Sequence, residues 1–182
     1  ALTLYQTLPN TEEHQATCLY NLANTLSKLN KLAQAEPYYH QALTLYQDIP
    51  NTQRSQANCL FNLAKTLDDL GKPAQAEPYY HQALTLYQTL PNTEEHQATC
   101  LNNLANTLSK LGKPAQAEPY YHQALTLYQT LPNTEEHQAD CLLNLATTLL
   151  LLDKLADAEP YYRQALTLYQ DIPNTEENQA TC

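Results

Sequence analysis

The sequence predicts an all-α solenoid, a stack of antiparallel helix pairs built from one unit that recurs every 41 residues. The hexapeptide Ala-Leu-Thr-Leu-Tyr-Gln begins at position 1 and returns at positions 42, 83, 124 and 165. A fixed period of this length is typical of repeat architectures, in which each unit buries its apolar face against its neighbours. Only two glycines occur in 182 residues, which disfavours the tight turns that β-hairpins need.

The first half of each unit has the pattern of an amphipathic helix, and the third unit shows it clearly. Asn92 is in position to cap this helix, and Glu95 three residues later can return a hydrogen bond, as in a capping box. The apolar residues that follow are spaced mostly by three and four and predict one buried stripe: Cys100, Leu101, Leu104, Ala105, Leu108 and Leu111. Gly112 predicts the end of the helix, because glycine readily takes the left-handed conformation found there.

The second half of the unit predicts another helix that opens at Lys113-Pro114, since proline is well tolerated in a first turn. Its apolar stripe is spaced by four and three: Ala117, Tyr121, Ala124, Tyr128 and Leu131. Pro119 lies inside this helix and predicts a slight bend near Ala115.

The same pattern divides residues 1–182 into a single repeat array with four complete helical hairpins, at residues 10–49, 51–90, 92–131 and 133–172. Residues 1–8 match the tail of a preceding second helix, and residues 174–182 match the start of a further first helix. We therefore expect the chain to be cut from a longer array. Neither end has the polar capping unit that usually terminates an array. Uncapped ends are complementary, so head-to-tail self-association is one expectation.

The order of small and large residues resembles that of the tetratricopeptide repeat family. In the third unit the matching positions are Leu101, Leu104, Ala105, Leu108, Gly112, Ala117, Tyr121 and Ala124. The standard repeat has 34 residues, so each helix of this longer unit gains about one turn. The segments NNLAN and GKPAQAEPYYHQAL resemble the long-repeat, kinesin-light-chain-like subgroup. The resemblance implies a right-handed superhelical α-solenoid whose first helices line the concave face. Asn30 and Asp153 depart from the pattern where other units have glycine.

Composition excludes several classes of function. The net charge is −10 and the nine basic residues are scattered, so no basic face exists for nucleic acid or for an anionic membrane surface. No apolar run approaches the 18 residues that indicate a membrane-spanning helix. One cysteine occurs per unit, and stacked helices lie too far apart for these to form disulfides. Free thiols without a visible signal peptide predict a cytoplasmic protein. The cysteines are Cys18, Cys59, Cys100, Cys141 and Cys182.

The sequence contains no pattern typical of catalysis or metal binding. The six histidines fall into two series whose members are at least one repeat apart, too far to share a zinc ion. Paired glutamates such as Glu94 and Glu95 recur at helix starts, where they suit the helix dipole. We expect a non-enzyme with no catalytic residue, no metal and no cofactor.

The predicted function is a non-catalytic protein–protein interaction scaffold that binds a peptide segment in its concave groove. Asparagine offers a donor and an acceptor and suits a peptide backbone, although it suits bonds between neighbouring scaffold helices equally well. Two exposed leucines at the positions of Ser109 and Lys110 predict a further apolar contact patch. The candidate groove residues form three rows: Tyr20, Phe61, Asn102 and Leu143; Asn21, Asn62, Asn103 and Asn144; and Asn24, Lys65, Asn106 and Thr147. The candidate patch is Leu150 and Leu151.

Two alternatives remain open at the sequence level. The array can be a self-associating structural element, or a sensor or regulatory segment of a larger bacterial signalling enzyme. Lysines and aspartates are mixed along the groove, so no strong charge preference is predicted. Residues 1–29 and 83–111 differ only at Tyr20 and Asn102, which indicates recent duplication or a designed consensus.

Overall fold

A computed structural model describes residues 11–172, and these residues form eight α-helices and no β-strand. Residues 1–10 and 173–182, which include the expected partial helices at the two ends, lie outside the described residues. The helices are α1 Glu12–Lys28, α2 Leu32–Asp48, α3 Gln53–Asp69, α4 Pro73–Thr89, α5 Glu94–Lys110, α6 Pro114–Tyr128, α7 Glu135–Leu151 and α8 Leu155–Asp171. None of them is both long enough and apolar enough to cross a membrane.

The chain divides into two compact units, Ala1–Pro91 and Asn92–Cys182. In the first unit α1 packs on α2, α3 packs on α4, and α2 also packs on α3. In the second unit the corresponding contacts join α5 with α6, α7 with α8, and α6 with α7. Each unit thus contains two stacked helical hairpins. The second helix of one hairpin packs on the first helix of the next.

The core consists largely of the predicted stripes. Leu104 and Ala105 of α5 are fully buried, and so are Ala117 and Ala124 of α6, where two helices approach closely. Tyr121 is only 1% exposed and fills the space between the hairpins. Burying a leucine or tyrosine side chain contributes roughly 1.5–3 kcal/mol, and this recurs in every repeat. Leu111 and Leu131, at the ends of the predicted stripes, are only half-buried.

The first helices end as the glycine pattern predicts, including where glycine is absent. Gly112 has a φ of 71°, and the N–H of Lys113 donates to the carbonyl of Leu108 at 2.9 Å. This bond reaches back five residues, as in a Schellman motif. Asn30 and Asp153 take φ values of 56° and 59° and are followed by the same backbone bond. The substitutions therefore preserve the turn, at the conformational cost of a left-handed residue that has a side chain.

The capping box expected at Asn92 and Glu95 is wrong. Asn92 has a φ of 54°, and Thr93 is the residue that precedes the helix, with no side-chain capping bond. The left-handed asparagine reverses the chain within a short loop, so it does not reach the N–H groups of the next helix. Thr52, the equivalent of Thr93 one repeat earlier, bonds to the helix before it. Its hydroxyl donates to the carbonyl of Tyr46 at 2.6 Å, and Gln56 Nε2 donates to the same oxygen at 2.9 Å.

Candidate functional site

A recess of about 380 Å³ opens on the face of the first unit that is formed by its first helices, α1 and α3. Its floor is formed by Tyr39 of α2 together with Ser27 of α1 and Thr66 of α3. Its volume falls in the range typical of ligand clefts. Three of the predicted groove residues line it, Asn24, Asn62 and Lys65. The complete lining is Asn24, Ser27, Lys28, Leu32, Tyr39, Asn62, Lys65, Thr66 and Asp69.

A hydrogen-bond network holds the two asparagines of this recess. Tyr39 donates its hydroxyl to Asn24 Oδ1 at 2.7 Å, and Asn62 Nδ2 donates to the same oxygen at 3.1 Å. Asn62 Nδ2 also donates to the Tyr20 hydroxyl at 2.8 Å. Asn62 Oδ1 bonds to no other described residue, and Asn24, whose amide also hydrogen-bonds Tyr20, keeps one Nδ2 hydrogen for a further bond. The recess therefore presents one amide donor and one amide acceptor side by side.

Hydroxyl groups connect the two hairpins beneath the asparagines. Ser27 Oγ lies 3.3 Å from Thr66 Oγ1 and 3.4 Å from the Tyr39 hydroxyl. Burial raises the pKa of Tyr39, and it also raises the pKa of Tyr20, whose ring meets that of Tyr39 edge to face at 6.1 Å. Both phenols thus stay protonated at neutral pH and remain available as donors. The network fixes the floor of the recess in one arrangement.

The rim of the recess carries two lysines and one aspartate. Lys65 Nζ lies 3.4 Å from Asp69 Oδ2 on the same helix, and both side chains are about half exposed. An exposed pair of this kind contributes little to stability. Lys28 is exposed and forms no ion pair with another described residue. The rim therefore has an excess of one positive charge although the chain as a whole is acidic.

The second unit repeats this arrangement with changed residues. Tyr121 donates to Asn106 Oδ1 at 2.6 Å, and burial raises the pKa of Tyr121 to about 12. Thr147 stands where the first unit has Lys65, and its hydroxyl lies 3.2 Å from the Tyr162 hydroxyl. Asn103 Nδ2 bonds to the carbonyl of Thr99 in its own helix at 2.8 Å. The middle and third rows are thus partly engaged in the scaffold.

The first candidate row is aromatic in the first unit and not in the second; its residues are Tyr20, Phe61, Asn102 and Leu143. Phe61 meets Tyr80 edge to face at 5.8 Å, as Tyr20 meets Tyr39. Asn102 stands at the same position in the second unit, and its Oδ1 is buried without a hydrogen-bond partner. Leu143 is half-buried, whereas Asn21 is exposed. Asn144 is half-buried and makes no hydrogen bond to another described residue.

Sequence reasoning missed the residues that form the floor of the recess. Tyr39, Ser27 and Thr66 belong to patterns that recur through the repeats, and the tyrosine was assigned only to the apolar stripe. A buried tyrosine hydroxyl needs a partner, and this requirement was the available signal. Asn24, on the first helix of the same hairpin, accepts a hydrogen bond from the Tyr39 hydroxyl. This bond explains why position 24 is polar.

The predicted apolar patch lies at the junction of α7 and α8. Leu150 is 41% exposed, Leu151 is 63% exposed, and Leu155, which the sequence analysis did not single out, is 64% exposed. A recess of about 350 Å³ adjoins them. Its lining residues are Leu150, Leu155, Ala158, Glu159, Tyr162, Arg163 and Leu166.

The cysteines are free thiols in the described part of the chain, which does not include Cys182. Cys59 Sγ donates to the carbonyl of Tyr39 at 3.2 Å, and Cys141 Sγ donates to that of Tyr121 at 3.4 Å. Burial raises the pKa of both thiols to about 12, so neither is a thiolate at neutral pH. Within residues 11–172, no group of three histidine, cysteine, aspartate or glutamate side chains is arranged to hold a metal ion.

Comparison with known proteins gives the family. A family model described as tetratricopeptide repeat matches residues 1–89 and 95–171, and a second one, described as tetratrico peptide repeat, matches residues 57–130. No curated protein sequence matches the chain.

Several solved structures share the fold. BtubC (BKLC) from P. vanneervenii has a TM-score of 0.85 at 21% identity, covering 95% of this chain and 70% of that one. The apo form of RapI has a TM-score of 0.84 at 14% identity, covering 99% and 51%. A putative kinesin light chain from Podosopora anserina, with nearly identical TPR-like repeats, has a TM-score of 0.73 at 15% identity, covering 93% and 82%. These likenesses confirm the expected all-α helical repeat solenoid, and the family match shows that the chain belongs to the tetratricopeptide repeat family.

Proposed function

We propose that this tetratricopeptide repeat array is a protein–protein interaction scaffold that binds a peptide segment of a partner on the face formed by its first helices. The recess between α1 and α3 carries the proposal. It is polar at its floor and basic at its rim, and it is formed by side chains that the hydrogen-bond network already holds in place. A preformed site binds with less loss of side-chain entropy than a flexible one.

The hydrogen-bonding capacity that Asn24 and Asn62 keep suits the backbone of an extended peptide. Each residue of an extended peptide presents its own N–H and C=O on the same edge, and Asn62 Oδ1 and Asn24 Nδ2 offer the complementary acceptor and donor. The two amides are adjacent, since Asn62 Nδ2 lies 3.1 Å from Asn24 Oδ1. One residue of the partner can therefore bond to both asparagines through its own N–H and C=O, while the bonds to Tyr20 and Tyr39 stay in place.

The rim favours a carboxylate on the bound segment. Lys28 and Lys65 lie on opposite sides of the recess, and Asp69 offsets one of them. We expect a preference for neutral or acidic segments over basic ones. The preference is modest because both lysines are exposed and their charges are screened by salt.

The proposal is tested by selecting ligands from a phage-displayed library of random peptides and titrating the best peptide against the chain by fluorescence anisotropy. Replacing the rim lysines, Lys28→Ala with Lys65→Ala, should weaken binding by about tenfold, because each lost charge contact contributes on the order of 0.7 kcal/mol. The loss should shrink as the salt concentration rises.

The matched control is Lys110→Ala, which removes the lysine at the position of Lys28 in the third repeat. It should leave the affinity unchanged, and circular dichroism should show equal helix content for all variants. Equal affinity of the double variant and the wild-type chain, or a library that yields no binding peptide, would contradict the proposal.

A further inference from the structure

We propose that a recess in the second unit binds an arginine side chain of a partner protein. The recess has a volume of about 320 Å³ and lies between the two second helices of this unit, α6 and α8. The α6–α8 recess is defined here by Glu118, His122, Ala156, Asp157, Pro160 and Tyr161. It is separate from the peptide recess of the first unit and does not depend on it.

One face of each helix forms a wall of the α6–α8 recess. Glu118 and His122 are four residues apart on α6, and Asp157 and Tyr161 are four residues apart on α8. The ring of His122 meets that of Tyr161 edge to face, with the ring centroids 5.9 Å apart. Leu149 of α7, which is only 2% exposed, gives the recess an apolar bottom. The volume lies at the lower end of the range for ligand clefts and suits one side chain.

The charges in the recess are unbalanced. Lys154 Nζ donates to both carboxylate oxygens of Glu118, at 2.7 and 2.9 Å, and neutralises that carboxylate. Asp157 is exposed, and its side chain makes no ion pair or hydrogen bond with another residue of the described range. The recess thus has an excess of one negative charge. The net charge of −10 also favours the approach of a cationic ligand.

A backbone carbonyl provides a second acceptor beside the carboxylate. In a regular helix the carbonyl of Ala156 accepts a bond from the N–H of the residue four positions later. That residue is Pro160, which has no N–H, so the carbonyl lacks its usual donor. Ala156 and Pro160 are both exposed and line the recess. The recess therefore offers a carboxylate and a carbonyl to a ligand that carries several N–H donors.

These groups fit the guanidinium group of arginine. A guanidinium has five N–H donors in one plane and can bond a carboxylate through two of them. Tyr161 is half-buried, and its ring can hold the cation by a cation–π contact. The apolar stem of the arginine can pack on Leu149 and Pro160. Lysine fits less well, because the donors of its ammonium group do not lie in one plane.

The first unit contains the same arrangement with one difference. Every residue that lines the recess recurs two repeats earlier in the sequence, except that Gln75 stands in place of Asp157. The ring contact recurs as His40 with Tyr79 at 5.8 Å, and the lysine–glutamate ion pair recurs as well. Asp157 is therefore the residue that distinguishes the second unit, and we expect the arginine site there and not in the first unit.

NMR titration of the 182-residue chain with acetyl-arginine methylamide tests the proposal. The amide signals of Ala156 and Asp157 can be resolved, because the sequence Leu-Ala-Asp-Ala occurs once in the chain. Both signals should shift in a saturable way, with an apparent Kd of about 1–10 mM. The Kd should rise with the salt concentration. Acetyl-citrulline methylamide, which has the same shape without the charge, should cause no saturable shift.

Three variants locate the site. Asp157→Gln introduces the residue of the first unit and should raise the Kd about fivefold, as expected for the loss of an exposed charge pair. Glu136→Gln removes the same charge at an exposed position outside the recess and should leave the Kd unchanged. Gln75→Asp should create a second site, seen as saturable shifts of the amides at positions 74 and 75.

Three results would each overturn the proposal. The first is equal shifts with the arginine and citrulline probes, and the second is an unchanged Kd for Asp157→Gln. The third is a set of shifts of similar size at exposed acidic residues throughout the chain, since this pattern indicates charge attraction without a site.

Discussion

Replacing Asn102 by tyrosine should stabilise the protein. Asn102 Oδ1 is buried without a hydrogen-bond partner, whereas the equivalent Tyr20 packs edge to face on Tyr39 and accepts a bond from Asn62 at 2.8 Å. Asn144, two repeats after Asn62, makes no hydrogen bond to another described residue. The Asn102→Tyr variant therefore introduces into the second unit a residue whose full set of contacts is present in the first.

The magnitude follows from three contributions. Removing a buried unsatisfied acceptor relieves about 1–3 kcal/mol, and a new hydrogen bond from Asn144 adds about 0.5–1.5 kcal/mol. The ring contact with Tyr121 adds about 0.5–1.5 kcal/mol beyond area burial. Ordering the larger side chain and fitting its volume oppose these gains. We expect a net increase of about 1–3 kcal/mol in the free energy of unfolding.

Urea denaturation followed by circular dichroism measures the effect as a higher midpoint at an unchanged m-value. Tyr20→Asn is the matched control, since it places the third repeat's residue in the first repeat and should destabilise by a similar amount. Combining Asn102→Tyr with Asn144→Ala should cost part of the gain through a coupling of about 0.5–1.5 kcal/mol. An unchanged or lower midpoint for Asn102→Tyr would refute the reasoning from the orphaned carbonyl.

Two further predictions concern the turns and the thiols. Gly112→Ala should lower the free energy of unfolding by about 1–2 kcal/mol, as measured in urea. The cause is the φ of 71° and not a steric clash, since a Cβ at this position meets no atom within 4 Å. Gly112→Asn should cost less, because Asn30 takes a φ of 56° at the same position of the first repeat. Stability should also fall as the pH rises from roughly 8.5, the pKa of an unfolded thiol, towards about 12, the folded pKa of Cys59 and Cys141, because only the unfolded chain then loses these protons. The double variant Cys59→Ala and Cys141→Ala should show a smaller decrease in urea midpoint between pH 8.5 and pH 10, and an equal decrease would contradict the assignment.

The helices could be predicted because their causes are local. A stripe such as Leu104, Ala105 and Leu108 has the period of an α-helix whichever surface it meets. Gly112 ends its helix for a reason contained in one residue, and Asn30 and Asp153 tolerate the same conformation. The error at Asn92 has a tertiary origin. Asparagine serves as a helix cap and as a left-handed loop residue with similar ease, and the contact of Thr52 with the preceding helix shows which role the loop requires.

The candidate site could be predicted only in part. The rows of asparagine are visible in the sequence. Whether an asparagine binds a peptide backbone or bonds to a neighbouring helix of the scaffold depends only on which group lies opposite its amide. Asn24, Asn62 and Asn106 bond to tyrosines or asparagines from other helices, and these partners are between 15 and 42 residues away in sequence. The exposed leucine at position 155 was missed for a similar reason, because a leucine at a helix start counts as exposed only when its neighbours are known.

The sequence by itself determined the repeat, the eight described helices and the absence of a basic face, since these depend on period, local conformation and charge. Only the tertiary structure decided which side chains face one another: that Tyr39 donates to Asn24, that Thr66 meets Ser27, and that Asn102 Oδ1 is buried without a hydrogen-bond partner. The physical reason is that a hydrogen bond requires two groups within about 3 Å in a suitable direction. A 41-residue period repeats the groups faithfully, but packing of the hairpins fixes their distances.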